Sequence, residues 1–411
     1  MQLVNVNELQ IGQTIAADVS NANGQVILAA GTVICRLHAT LLKAWAITRV
    51  PVQDGPTPGP GATILAGAPS EPEGFESIAN RQDHPALVAL ATVATQVAEK
   101  TGASPVMLLN GNLSVASFRE TAKPSGPPIS PETIAAKAGN LASLPSVYSR
   151  LEKTINNPSS SAADITKILR NDPGLIARLL RIANSAFYGF PRKVEGLEEA
   201  VRIIGTRQLQ DLVLATVVLT QFKGVNARLV DMRSFWRHSL ACGIAARSFA
   251  KLRRETNTER FFVAGLLHDI GSLVLYQQVP ERAQTALERH RSTAIALEDA
   301  ERSSIGCDHG AVGAAIMSLW KLPEFFRDTA AGHHNSGYRA RTAGTAVIHL
   351  ADLLALALGL GNNGEIRLPR FSADAWRLVG LEPDCIELVA SEVVSHLAEA
   401  ERMFVSDELA A

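Results

Sequence analysis

Seven of the ten histidines fall between His238 and His349, on separate segments of the chain. His238 lies early in SFWRHSLACGIAARSFA, and His268 with Asp269 closes FVAGLLHDIG. His309 opens CDHGAVGA, His333 and His334 adjoin in AGHHNSGY, and Asp352 lies within AVIHLADLLALA. Imidazole and carboxylate are good ligands for Fe, Mn or Zn, and mixed His/Asp shells leave coordination positions open for water. An ion held this way lowers the pKa of that water and polarises a phosphoryl oxygen. The candidate metal ligands are therefore His238, His268, Asp269, His309, His333, His334 and Asp352, and the cofactor they would take is a divalent metal: Fe, Mn or Zn.

Each residue has a plainer reading to set against this. A lone histidine in an apolar helix is more often a hydrogen-bonded core residue than a ligand, and His290, His349 and His396 are read that way. Asp269 differs because it follows Leu266 and Leu267, and a buried carboxylate needs a partner or a metal. Adjacent helical residues point about 100° apart. His268 and Asp269 can meet one centre only at a helix end, and Gly271 is expected to let the chain turn there. Cys35, Cys242, Cys307 and Cys385 form no CxxC pair and read as reduced, mostly buried thiols.

Helices must position this set. Apolar residues make up 46% of the 411, charged residues 19% and aromatics only 5%, which favours a large helical core over sheets. Helical periodicity is sustained from Pro131 to Phe404. Asp172 reads as an N-cap with Pro173 as the first helical residue. Further helices are expected over 211–222, 235–252, 259–268, 308–320, 342–358 and 384–404, with breaks at Gly189 and Gly271. Asn184 is expected to close the helix that begins at Pro173 and to bond backbone there. Phe187, Tyr188 and Phe190 beside it read as packing anchors.

Ahead of this body the chain changes character. Residues 1–53 read as a small β-rich module, with Val26-Ile27-Leu28 strand-like, a short helix over 38–46 and a closing strand over 47–52. Residues 54–140 read as a Pro/Gly-rich linker with one helical segment, 85–100; DGPTPGPGATILAGAPSEPEG is expected to be flexible and cut first by proteases. The helical domain then runs over 141–404. A net charge of −1 removes the usual footprint of a nucleic-acid binder. The start has no secretory signal, and no apolar run reaches the roughly 20 residues of a membrane span, so a cytoplasmic location without membrane contact is expected.

The ordered residues His238, His268-Asp269 and Asp352 resemble the signature of the HD superfamily of metal-dependent phosphohydrolases. The chain over about 141–360 is more closely similar to the HDOD family (HD-related output domain), a bacterial signalling module. LPSVYSRLEKTINNPSSSAADITKILRNDPGLIARLLRIANSAFYGFP, over 144–191, looks like the opening of that domain, and GLLHDIGSLVL, DHGAVGAAIMSLWKLP and GHH look like its later blocks. Residues 1–53 resemble a short module found ahead of HDOD and HD-GYP domains. The resemblance implies a two-part, mainly α body, a helical bundle followed by an HD-like half. It implies a regulatory output role exercised through an unidentified signalling protein. The alternative it leaves open is an HD-type phosphohydrolase or cyclic di-GMP phosphodiesterase. Catalytic HD-GYP enzymes carry HDxGK, HHE and DGxGYP. Here Ser272 stands for the Lys, Asn335 for the acid and Arg339 for the Pro, while Ser234 stands where metal-rich relatives have Glu. These departures argue against efficient hydrolysis and leave metal binding open.

Overall fold

A computed structural model of the chain describes residues 2–10, 13–20, 26–28, 30–31, 34, 42, 47–53, 84–101, 126–138, 146–157, 159–185, 193–222, 225–293, 295–334 and 342–405. The expected linker over 54–82, the short helix over 38–46 apart from Leu42, and Phe187 to Phe190 lie outside the described residues. The chain divides into two compact units. One is residues 1–117 with 356–359 and 382–387; the other is the remainder.

In the first unit, β1 (Gln2–Asn5) pairs antiparallel with β4 (Arg49–Val52), Gln2 opposite Val52 and Asn5 opposite Arg49. β2 (Val19–Ser20) pairs antiparallel with β3 (Val26–Leu28). Val6, Ile15, Val19, Leu28, Ile34, Leu42, Val50 and Val52 form one buried apolar cluster, so these short strands close over a core of their own. The helix expected over 85–100 is α1 (Pro85–Thr101).

The second unit is helical, and among its described residues there is no strand. Its first part runs α2 (Pro131–Lys137), α3 (Ser146–Ile155), α4 (Ala162–Leu169), α5 (Pro173–Ala183), α6 (Leu197–Ile204) and α7 (Thr206–Leu219). Side chains fix the starts of several helices: Ser130 accepts from the Thr133 amide, Ser161 and Asp164 form a reciprocal capping box, and Asp172 accepts from the Leu175 amide. Asn184 ends α5 as expected. Its Nδ2 donates to the carbonyls of Leu180 and Val194, and its Oδ1 accepts from the Val194 amide at 2.7 Å. α7 begins five residues before the expected Asp211, because Gly205, at φ +94°, ends α6 and passes the chain directly into the next helix.

The second part begins with α8 (Met232–Leu252), buried almost throughout from Phe235 to Ala250. α9 (Thr258–Leu267), α10 (Ile270–Gln278), α11 (Pro280–Ser292), α12 (Leu297–Ser304), α13 (His309–Leu319), α14 (Glu324–Gly332) and α15 (Ala343–Ala357) follow, then α16 (Ala373–Val379) and α17 (Cys385–Phe404). α9 packs on both α7 and α8, which joins the two parts; α10 packs on α13, and α13 on α14. α2 precedes residue 141, yet it packs on α10 and α13. Among the described residues no helix is long and apolar enough to cross a membrane.

Candidate metal centre

The elements carrying the histidines approach more closely than side chains normally allow. A Cβ on Gly265 of α9 would lie 2.8 Å from the Cys242 carbonyl oxygen of α8, and one on Gly271 of α10 would lie 1.9 Å from the His309 carbonyl oxygen of α13. Gly271 therefore serves a different purpose from the expected turn. It sits inside α10 with an ordinary helical φ, and the α9–α10 break falls at His268, the last cap of α9, and Asp269, the first cap of α10. The glycine is needed because α13 crosses at backbone contact. That crossing brings His309 to Asp269.

All seven candidate side chains converge. Asp269 is the hub: its carboxylate lies 3.2 Å from His268 Nε2, 3.2 Å from His333 Nε2, 3.3 Å from His309 Nε2 and 3.8 Å from His238 Nε2. Asp352 Oδ1 lies 3.2 Å from His238 Nε2 and 3.6 Å from His268 Nε2. His334 Nε2 is 2.6 Å from His309 Nε2. Each of the seven is no more than 6% exposed. Two overlapping groups have metal-ligand spacing, Asp269 with His309, His333 and His334, and His238 with His268 and Asp269.

Hydrogen bonds at the far ring nitrogens separate ligand-type from structural histidines. A carbonyl or carboxylate oxygen only accepts, so the nitrogen facing it carries the proton. His268 Nδ1 donates to the Gly265 carbonyl at 2.6 Å, His333 Nδ1 to the Ala330 carbonyl at 2.7 Å, and His309 Nδ1 to Glu301 Oε2 at 2.6 Å. Rings held this way turn Nε2 toward Asp269, the orientation a metal-ligating histidine needs. His290 and His349 are satisfied at both nitrogens. His290 donates to the Ile295 carbonyl and accepts from the Ile366 amide; His349 donates to the His333 carbonyl and accepts from the Ser372 amide. Both are core residues, as expected, and His349 also anchors the backbone of His333. His396 is half-buried on α17, 3.7 Å from Glu392.

The remaining polar atoms fit a cation. Both nitrogens of His238, Nε2 of His268, Oδ1 of Asp269, both oxygens of Asp352 and Nδ1 of His334 are buried without a hydrogen-bond partner among the described residues. Atoms so buried are costly unless something pairs with them. Burial alone would raise both aspartates, but His268 and its neighbours outweigh it at Asp269, and His238 with His268 does so at Asp352, holding both carboxyls well below their usual range. Burial works the other way on the histidines. Glu301 and Asp269 overcome it at His309 and raise that ring to about 10, whereas burial with His333 and His309 nearby keeps His334 well below its usual value.

The positions that depart from catalytic relatives are also placed. Ser272 is buried in α10, and its amide donates to the Asp269 carbonyl. Among the described residues every ion pair of Asp269 and Asp352 is with a histidine. Ser234 occupies the first turn of α8; its amide donates to Asp231 and its carbonyl accepts from Asn362. Asn335 and Arg339 lie outside the described residues.

The sequence reading missed four polar residues that surround the set. Glu301 holds His309, and Asn363 donates to Asp269 Oδ2 at 2.5 Å. Glu298 and Glu365 are buried beside His334. In sequence, LEDAERSS reads as a solvated helix, and only the Leu297, Ala300 and Ser304 spacing hints that one face turns inward.

A family model of the HDOD domain matches residues 141–336. An uncharacterized protein of Treponema pallidum (strain Nichols) is 27% identical over 206 residues, 49% of this chain and 39% of that protein, so the match spans well under half of the relative. The crystal structure of an HDOD domain protein of unknown function from Geobacter sulfurreducens shares 23% identity with a TM-score of 0.53, covering 67% of this chain and 98% of that one. The last likeness is one of fold, the mainly helical body. The ordered blocks and the family match show that the chain carries an HDOD domain over residues 141–336.

Proposed function

We propose that this protein is a regulatory module whose HDOD body holds a divalent metal, Fe, Mn or Zn, on His238, His268, Asp269, His309, His333, His334 and Asp352, and relays a change of state to a signalling protein partner. The observation that carries the metal is the set of Nδ1 hydrogen bonds at His268, His309 and His333, which turn three Nε2 atoms toward one carboxylate. The regulatory reading is supported by the HDOD domain match over residues 141–336 and by the make-up of the site. Every ligand-type side chain is buried, and Ser272 supplies no cation where a phosphate would need one.

A second reading, an HD-type phosphohydrolase, is favoured by the two ligand groups that share Asp269, an arrangement suited to two neighbouring ions. A bound divalent ion would supply polarisation of a phosphoryl oxygen. In that reading Asp269 would belong to both ligand groups, and His268 and His333, steered from their Nδ1 sides, would help to hold the metal. The test is hydrolysis of cyclic di-GMP and of a generic phosphoester by the metal-loaded full chain. Turnover at background is expected. Robust metal-dependent turnover that disappears in Asp269→Ala would overturn the regulatory reading in favour of the enzyme.

A further inference from the structure

The histidine set does not account for all the buried charge in the second part of the body. Glu298 on α12 and Glu365, after α15, are 3% and 4% exposed. One carboxylate oxygen of each and a ring nitrogen of His334 all lie within 4.8 Å of one another. Glu298 Oε2, Glu365 Oε1 and His334 Nδ1 have no hydrogen-bond partner among the described residues. Two carboxylates packed together out of water repel each other and lose their hydration, so something must neutralise them.

His334 meets the His/Asp set through Nε2, which lies 2.6 Å from His309 Nε2. Its other ring nitrogen, Nδ1, is the unpartnered atom. Asp269, His309 and His333 keep ligand spacing without His334.

We infer that Glu298, Glu365 and the Nδ1 atom of His334 form a further divalent-cation site beside the His/Asp set. Two carboxylates and one imidazole make a hard, mostly oxygen shell, suited to Mn²⁺ or Fe²⁺ more than to a thiolate-seeking ion. The site shares only His334 with the main set, so it does not require that set to be loaded. The competing account is a proton shared by the two glutamates, which would neutralise them without any ion.

The test uses the full-length chain, stripped with chelator, dialysed against Mn²⁺ and analysed for bound metal, with crystals soaked in Mn²⁺ for anomalous scattering. Glu298→Gln and Glu365→Gln keep the side-chain shape and remove the charge, and each is expected to lose one equivalent of Mn²⁺ relative to wild type. Asp269→Ala reads the His/Asp set separately and should keep the equivalent that the glutamate variants lose. Equal Mn²⁺ content in wild type and both glutamate variants would overturn the inference. If the variants misfold or lose all their metal together, the wild-type crystal decides: an anomalous peak among Glu298, Glu365 and His334 supports the site, and its absence overturns it.

Discussion

The two parts of the helical body are held by different means. The part from α3 to α7 is assembled from short helices whose ends are fixed by neighbours in sequence, such as Asp172 on Leu175 and the Ser161–Asp164 box. Its small cluster of Ala183, Val194 and Ala200 is purely apolar. The part from α8 to α15 depends on residues distant in sequence meeting at backbone contact, and it buries a network of histidines and carboxylates. Apolar packing tolerates adjustment, whereas a buried polar network needs every partner in place. The second part therefore sacrifices tolerance for a site that can hold charge.

That contrast can be broken most severely at Gly271. Gly271→Ala puts a methyl against the His309 backbone, which no side-chain shift can relieve. We expect a loss above about 4 kcal/mol, the range of severe core disruption, read as failure of the full chain to give a cooperative thermal transition. A native-like melting temperature would show that α10 and α13 are not locked together.

Asp211 on α7 sharpens the comparison, because it is a buried carboxylate in the part that carries no histidine. Burial raises it to about 6, although Asn257 Nδ2 donates to it at 2.9 Å. The raised pKa means that the folded state favours the protonated form. Its contribution to stability is complete below the unfolded value near 3.8 and is lost as pH rises through about 6. Asp211→Asn should be neutral near pH 4 and stabilise by about 2–3 kcal/mol above pH 7, at 1.36 kcal/mol per unit. Denaturant midpoints at both pH values measure this; a variant destabilised at pH 8 would show that the ionised form is needed.

Smaller effects belong to the local devices of the first part. Asn184→Ala strands the buried Val194 amide and should cost roughly 1–3 kcal/mol. Asp172→Ala removes one helix cap and should cost about 1 kcal/mol. Both should leave metal content unchanged, and a fall in bound metal with either would mean the two parts are coupled.

The same contrast explains what the sequence made legible. Asp172-Pro173 and Asn184 could be read because their partners lie within about ten residues along the chain. The seven site residues stood out because they are polar groups on apolar segments. Glu298 and Glu301 did not, since a helix rich in Glu, Asp and Arg looks solvated unless its neighbours are known. Glu365 and Asn363 lie in a Gly/Asn loop with no periodicity to interpret. Gly271 was recognised as special but assigned the wrong task, because close approach of α13 leaves no mark in the residues next to it.

The central claim is that the buried His/Asp set holds a metal. Elemental analysis of the purified full chain beside Asp269→Ala tests it most directly. The account predicts bound Fe, Mn or Zn in the wild type and a sharp fall in the variant, with the fold retained by circular dichroism. Metal at background in both proteins, with Asp269→Ala costing only stability, would contradict it.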